Sequence, residues 1–219
     1  ISHLMKLWQK NTDSNKAVEN FTVGNDPAFD LLLAPFDVIG SMAHAKMLSA
    51  IGLLSQVEAD AVCAELKNIY AQTEKGLFRI ENGVEDVHSQ VELLLTQKLG
   101  DTGKKIHAAR SRNDQVLLDI KLFLRQQLQQ LVLTTHDFFN LLQQKSELYK
   151  DHLMPGYTHL QLAMPSSFGL WFGAYAESLV DDVITIQAAS EVVNKNPLGS
   201  GAGYGSSFPI NRHMTTELL

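Results

Sequence analysis

The sequence predicts an all-α fold, and a few observations carry that prediction. Apolar residues recur at spacings of three and four almost throughout the chain, and residues 105–154 contain neither glycine nor proline. Ahead of Lys104 no alternating period-two run of useful length occurs, and short strands stay open only around residues 77–80. In order, Asp26 followed by Pro27 signals a helix start: a carboxylate able to cap the first turn, then a proline whose missing N–H costs nothing there. The helix it opens should run to about Ala50 and close at Gly52, with Pro35 and Gly40 interrupting or kinking it. Ser55-Gln56-Val57-Glu58 has the form of a capping box, and its helix carries Val57, Ala61, Ala64, Leu66, Ile69 and Tyr70 before Gly76 ends it. A third helix is expected from near Asp86 to Gly100, with Val87, Val91, Leu94 and Leu95 on its apolar face.

After Lys104 the elements lengthen. The spacing of Val116, Ile120, Phe123, Leu124, Leu128, Leu131, Phe138 and Leu142 predicts one helix from Asn113 to about Lys150. At the usual rise per residue it would extend roughly 57 Å. A second long helix is expected from Pro165 to about Val193, with Phe168, Leu170, Phe172, Leu179, Val183 and Ile186 inward. Joined through residues 154–165, the two would form a long antiparallel pair, the start of an elongated bundle. Residues 196–209 read as a glycine-rich loop and residues 210–219 as the opening of a further helix, so the chain is expected to belong to a longer protein that completes the bundle. Domains are therefore expected at 5–104, small and mostly helical, and at 105–219, a truncated central bundle. Ile1 to Leu4, ahead of Met5, read as a cloning remnant and are set aside.

Composition narrows the function. With 219 residues, 45% of them hydrophobic, the chain can bury a substantial core. A net charge of −6 and a pI near 5.7, with no basic stripe, argue against a nucleic-acid partner. The single cysteine, Cys63, excludes an internal disulfide and a multi-thiolate zinc site and suits a reducing cytoplasm. Apolar stretches such as residues 31–36 are cut by Asp30 and Asp37, so no membrane span is expected, and the N-terminus does not read as a signal peptide.

Polar segments at the ends of the long helices are the candidate sites. The first, residues 107–115, includes Ser111, Arg112 and Asn113. A helix N-terminus concentrates free amides and partial positive charge, so these residues could hold a carboxylate; equally, Ser111 or Asn113 could simply cap the helix while Asp114 complements its dipole. The second, residues 154–161, places Thr158 and His159 on a tight connection between helices. There His159 could exchange protons with a substrate and Thr158 fix a carboxylate, or the histidine could be a hydrogen-bonded turn residue. The third, Pro197-Leu198-Gly199-Ser200-Gly201-Ala202-Gly203, offers backbone amides for an anion nest but lacks the ending of a phosphate-binding P-loop. His88 and Glu92 share a helical face, read as a solvated pair without a third metal ligand at a supporting spacing. His44, His136, His152 and His213 take no role from spacing alone.

Taken together and in order, Arg110-Ser111-Arg112-Asn113-Asp114-Gln115, Pro155-Gly156-Tyr157-Thr158-His159-Leu160-Gln161 and Pro197-Leu198-Gly199-Ser200-Gly201-Ala202 resemble the signatures of the argininosuccinate lyase family, within the fumarase and aspartase superfamily. The resemblance extends to Glu85-Asp86-Val87-His88 and to residues 37–44. The arginine in Ser111-Arg112-Asn113 favours this branch over fumarase and aspartase. What it implies is a cytoplasmic homotetramer on a central helical bundle, with each active site assembled from different subunits. It implies reversible β-elimination of argininosuccinate to fumarate and arginine, in arginine biosynthesis, without metal or organic cofactor. By the same resemblance His159 is the acid–base histidine, Asn113 and Thr158 bind substrate, and Ser111, Arg112 and Gln161 are further contacts.

Departures accompany the matches. The family's loop with the catalytic serine, lysine and asparagine would lie beyond Leu219, so this chain by itself is expected to be inactive. No serine stands in residues 21–30 where the family has one, Met164 replaces a common glutamine, and Tyr204-Gly205-Ser206-Ser207 replaces a small-residue run. The alternatives are another fumarate-releasing lyase of the superfamily and a non-catalytic, crystallin-like structural protein.

Overall fold

The computed structural model describes residue 21 and residues 24–81 and 83–219. Residues 1–4 and the first residues of the expected N-terminal domain lie outside the described residues. Helices dominate: α1 (Asp26–Ala50), α2 (Gln56–Glu74), α3 (Val87–Leu99), the short α4 (Asp101–Lys104) with a 3₁₀ turn at Lys105–His107, α5 (Arg112–Leu148), α6 (Phe168–Val193) and α7 (Arg212–Leu218). Between α5 and α6 lies a two-stranded antiparallel hairpin, β1 (Leu153–Thr158) and β2 (Gln161–Ser167). The described residues form two compact units, those up to Phe123 together with residues 196–219, and residues 124–195. In the first unit Leu118 and Leu122, early in α5, pack with Leu198 and with Phe36 and Ile39 of α1.

In the first unit the helix termini follow local chemistry. Ser55 and Glu58 complete the capping box, the Ser55 N–H donating to Glu58 Oε2 (2.8 Å) and the Glu58 N–H to Ser55 Oγ (3.2 Å). Asp86 caps α3 by accepting from the Ser89 N–H at 2.8 Å, and Gly100 ends that helix at φ +61°. At α1 the cap position is Asn25, which makes no side-chain cap bond, while Asp26 sits inside the first turn and interacts with the helix dipole instead. Neither Pro35 nor Gly40 interrupts α1. Gly40 serves close packing: a Cβ there would lie 2.7 Å from Leu118 Cδ2. On α2 the buried stripe is Ala59, Val62, Leu66 and Ile69, whereas Val57 and Ala64 face outward. These residues join Val38, Leu48, Val87, Val91, Leu95 and Ile106 in the core, and Phe78 reaches it from a loop, with no strand at residues 77–80.

Residues 28–50 are long and apolar enough to cross a membrane by length and composition alone, a test that a buried core helix also passes. The helix is instead the centre of this core: 61% of its most apolar window is buried, and it carries the buried Asp37, Ser41 and His44.

In the second unit α6 begins at Phe168, capped by Ser167, whose Oγ accepts from the Leu170 N–H at 3.1 Å. The expected start at Pro165 gives way because Pro165 belongs to β2, opposite Pro155. The helices approach closely at Gly169, where a Cβ would lie 2.5 Å from Lys150 Cα, and Ser146 Oγ donates to the Gly169 carbonyl at 2.7 Å. Yet little of this unit is covered. Leu142 and Ala176 are its buried apolar side chains, while Leu131, Leu133, Phe138, Trp171, Val180, Ile184 and Val192 are exposed. Phe168 and Leu170, expected inward, also face solvent, because α6 is apolar around most of its circumference and one neighbouring helix can cover only one stripe.

Candidate active site

The α5 N-terminus is built around one carboxylate. Ser111 precedes the helix, and its Oγ accepts from the Asn113 N–H (3.3 Å) and from Asn113 Nδ2 (3.2 Å). The Ser111 N–H donates to Asp114 Oδ1 at 2.9 Å, while Asp114 Oδ2 accepts from the Gly199 and Gly201 N–H groups, each at 2.8 Å. Asp114 is 1% exposed. Ser111 is therefore the cap, and the amides expected to form an anion nest are occupied by the protein's own side chain. Arg112 is divided between two carboxylates, with Nη1 2.9 Å from Glu85 Oε1 and Nε 2.9 Å from Asp86 Oδ2. Those contacts raise the affinity of its guanidinium for the proton, the Glu85 bond first.

Beneath this terminus lies a buried polar group that sequence reasoning passed over. His88 Nδ1 is 2.8 Å from Asp37 Oδ1 and 3.5 Å from Asp119 Oδ2, and Gln115 Nε2 donates to Asp37 Oδ1 at 2.6 Å. His88 thus does not pair with Glu92, which instead lies 3.3 Å from His107 Nδ1. Arg110 is enclosed here too, Nη1 donating to Ser41 Oγ at 3.0 Å. Burial alone would raise Asp37; the His88 bond, the charges of His88 and Arg110, and the Gln115 bond outweigh it and hold the carboxyl below its usual range. Asp119 moves the other way, well above the usual range, because burial and the Asp37 charge outweigh Arg110. Donor atoms of Asp37, His88 and Asp119 all lie within 4.8 Å of one another, a spacing that could hold a cation, but the Arg110 guanidinium already acts on both carboxylates. The signal in the sequence was Asp37 and Asp119 standing within otherwise apolar helix faces, beside Val38 and Leu118.

His44 is also enclosed, its Nε2 2.9 Å from the Ala108 carbonyl. Burial, aided by the Arg110 charge, pulls its pKa down to about 3, so the ring is neutral.

Thr158, His159 and Gln161 stand at the hairpin tip in the second unit. Thr158 pairs with Gln161, leaving His159 and Leu160 as a two-residue turn. Their φ angles are +48° and +62°, as a type I′ turn requires. Neither is a glycine, so the turn carries strain, and all of these side chains are exposed. The connection expected in the sequence is thus a β-hairpin. The structure groups Ser111, Arg112 and Asn113 at one helix terminus, and Thr158, His159 and Gln161 at one turn.

Polar clusters thus stand at the first turn of α5 and at the tip of the hairpin between α5 and α6. A family model described as "Lyase" matches residues 2–219, and the chain belongs to that lyase family. It is 64% identical over 214 residues to an argininosuccinate lyase of Bacteroides fragilis, covering 98% of this chain and 48% of the relative. The chain thus spans about half the length of the curated relatives it matches. Among solved structures it is similar to an EDDS lyase in complex with formate, with a TM-score of 0.75 and 26% identity over 85% of this chain and 36% of that one. A class II fumarase from Schistosoma mansoni shares the fold, with a TM-score of 0.72 at 19% identity, over 93% of this chain and 46% of that one.

Proposed function

We propose that this chain is part of an argininosuccinate lyase, cleaving argininosuccinate to arginine and fumarate in arginine biosynthesis. The observation that carries the reading is the 64% identity across nearly the whole chain to a protein of that name. In the reaction a base removes a proton from the carbon next to a substrate carboxylate. The electron pair forms the new double bond as the carbon–nitrogen bond breaks, and an acid protonates the departing guanidinium nitrogen. Nothing is oxidised or reduced, so no redox cofactor is called for. The developing aci-carboxylate requires fixed donors. Asn113 and Thr158 would supply an amide and a hydroxyl for substrate, and His159 would take part in proton transfer from its exposed turn. Ser111 and Gln161 are further contacts, while Arg112 acts from its pairing with Glu85 and Asp86.

The bare apolar faces of α5 and α6 support a homotetramer whose subunits cover one another and share active sites, since uncovered surface of this kind is costly in water. A cytoplasmic location and the division at 5–104 and 105–219 complete the reading. The full-length protein should convert argininosuccinate to equal amounts of fumarate and arginine, leave adenylosuccinate untouched, and sediment as a tetramer at micromolar concentration. Turnover of adenylosuccinate instead would favour another fumarate-releasing lyase. No turnover of either substrate by a stable tetramer would favour a structural protein.

A further inference from the structure

We infer that Asp114 is the positioning residue of the α5 terminus, and that the glycine-rich loop is its clamp rather than a seat for a substrate anion. This rests on the lyase reading above. A single buried carboxylate takes three backbone N–H groups: Ser111 at 2.9 Å on Oδ1, and Gly199 and Gly201 at 2.8 Å each on Oδ2. Charge-assisted bonds of this kind are short and strong, and an incoming carboxylate would have to expel Asp114 to use the loop amides.

The loop is built to present those amides. Gly199 lies at φ +92° and Gly201 at φ +59°, where glycine alone is unstrained. A Cβ at Gly199 would come 2.7 Å from Ile210 Cδ1, and one at Gly201 3.0 Å from the Gly205 carbonyl oxygen. Between them and α5 the buried Leu198 packs against Leu118 and Leu122. On its far side the loop is tied by Arg212 Nε, which donates to the Leu198 carbonyl at 3.1 Å. Asp114 therefore joins two fixed bodies, the loop and the first turn of α5.

Through Ser111 the effect reaches the substrate-binding residue. Asp114 holds the Ser111 backbone, and Ser111 Oγ holds both the main-chain N–H and the side-chain amide of Asn113. Asn113 is exposed and could turn freely, so its aim depends on this relay. Removing the carboxylate leaves three N–H groups with a space that a small carboxylate could fill.

The test uses the full-length enzyme assayed with argininosuccinate, with sodium formate as the probe. Asp114→Ala should lower kcat/KM by roughly 10²-fold, the scale of a misplaced substrate contact, with most of the loss in KM. Formate should restore at least about tenfold in a saturable manner, and should leave wild type unaffected. Asp114→Asn should lose activity comparably, because its amide would point a donor at donors, whereas Asp114→Glu should recover part of it. Wild-type kinetics in Asp114→Ala, or a loss that formate does not relieve in a fully folded tetramer, would overturn the inference. If Asp114→Ala does not fold, wild-type kinetics in Asp114→Asn would overturn it equally. Failure of both variants to fold even in formate would assign Asp114 to folding and also overturn it. A wild-type enzyme inactive on argininosuccinate would instead be a failure of the lyase reading itself.

Discussion

The hairpin tip holds two residues in a backbone conformation that glycine or asparagine would adopt more cheaply, and this makes stability and catalysis separable there. His159 and Leu160 sit at φ +48° and +62°, and a left-handed L-residue costs about 1–2 kcal/mol. Leu160 is 99% exposed and loses no buried contact within the chain on truncation. Leu160→Gly should release that strain and give back about 0.5–1 kcal/mol to glycine's chain entropy, a net gain of up to about 1.5 kcal/mol and centred near about 0.75 kcal/mol. His159→Asn should leave stability unchanged or slightly raised, since asparagine tolerates this region, yet cut turnover by roughly 10²-fold or more. Thr158→Ala should mainly raise KM, because its hydroxyl would contact substrate in ground and transition states alike. Melting temperature and turnover would be measured on the same preparations of the full-length enzyme. A His159→Asn variant that melts lower but turns over normally per folded molecule would refute the catalytic assignment. Failure of Leu160→Gly to raise the melting temperature would refute the strain argument.

Other perturbations test the first unit. His44 is held neutral with a pKa of about 3, below its ordinary 6.5, so the unfolded chain takes up a proton first as pH falls. Its stabilising contribution is complete above about pH 6.5 and declines below it, by roughly 2–3 kcal/mol on reaching about pH 4.5. His44→Gln, which keeps a donor for the Ala108 carbonyl, should flatten that part of the pH dependence in urea denaturation; an unchanged slope would exclude His44 as its source. Gly103→Ala would place a Cβ 2.4 Å from the Leu95 carbonyl oxygen, backbone that cannot yield cheaply. It should destabilise by about 1–3 kcal/mol, with kcat/KM per folded enzyme unchanged, as calorimetry and kinetics on one sample would reveal.

Local order was legible in the sequence because local chemistry produces it. The Ser55–Glu58 box, the Asp86 cap with Gly100 at the other end, and the long run of α5 each depend on residues within a few positions of one another. The three segments around Asn113, His159 and Gly199 stand out in the sequence through their order and separation. The hairpin was not legible: residues 154–161 read as a tight connection and Pro165 as a helix start, and only cross-strand pairing makes Pro155 and Pro165 opposed strand residues. The buried group of Asp37, His88 and Asp119 was not legible, since His88 read as a pair with Glu92, and neither was the clamp on Asp114, which read as a complement to the helix dipole opposite an open nest. Their partners are remote, 51 residues between Asp37 and His88 and 85 between Asp114 and Gly199, so folding alone could pair them. A buried carboxylate must find its donors wherever the packed chain brings them, and periodicity or capping, which act over a turn or two, carry no information about that choice.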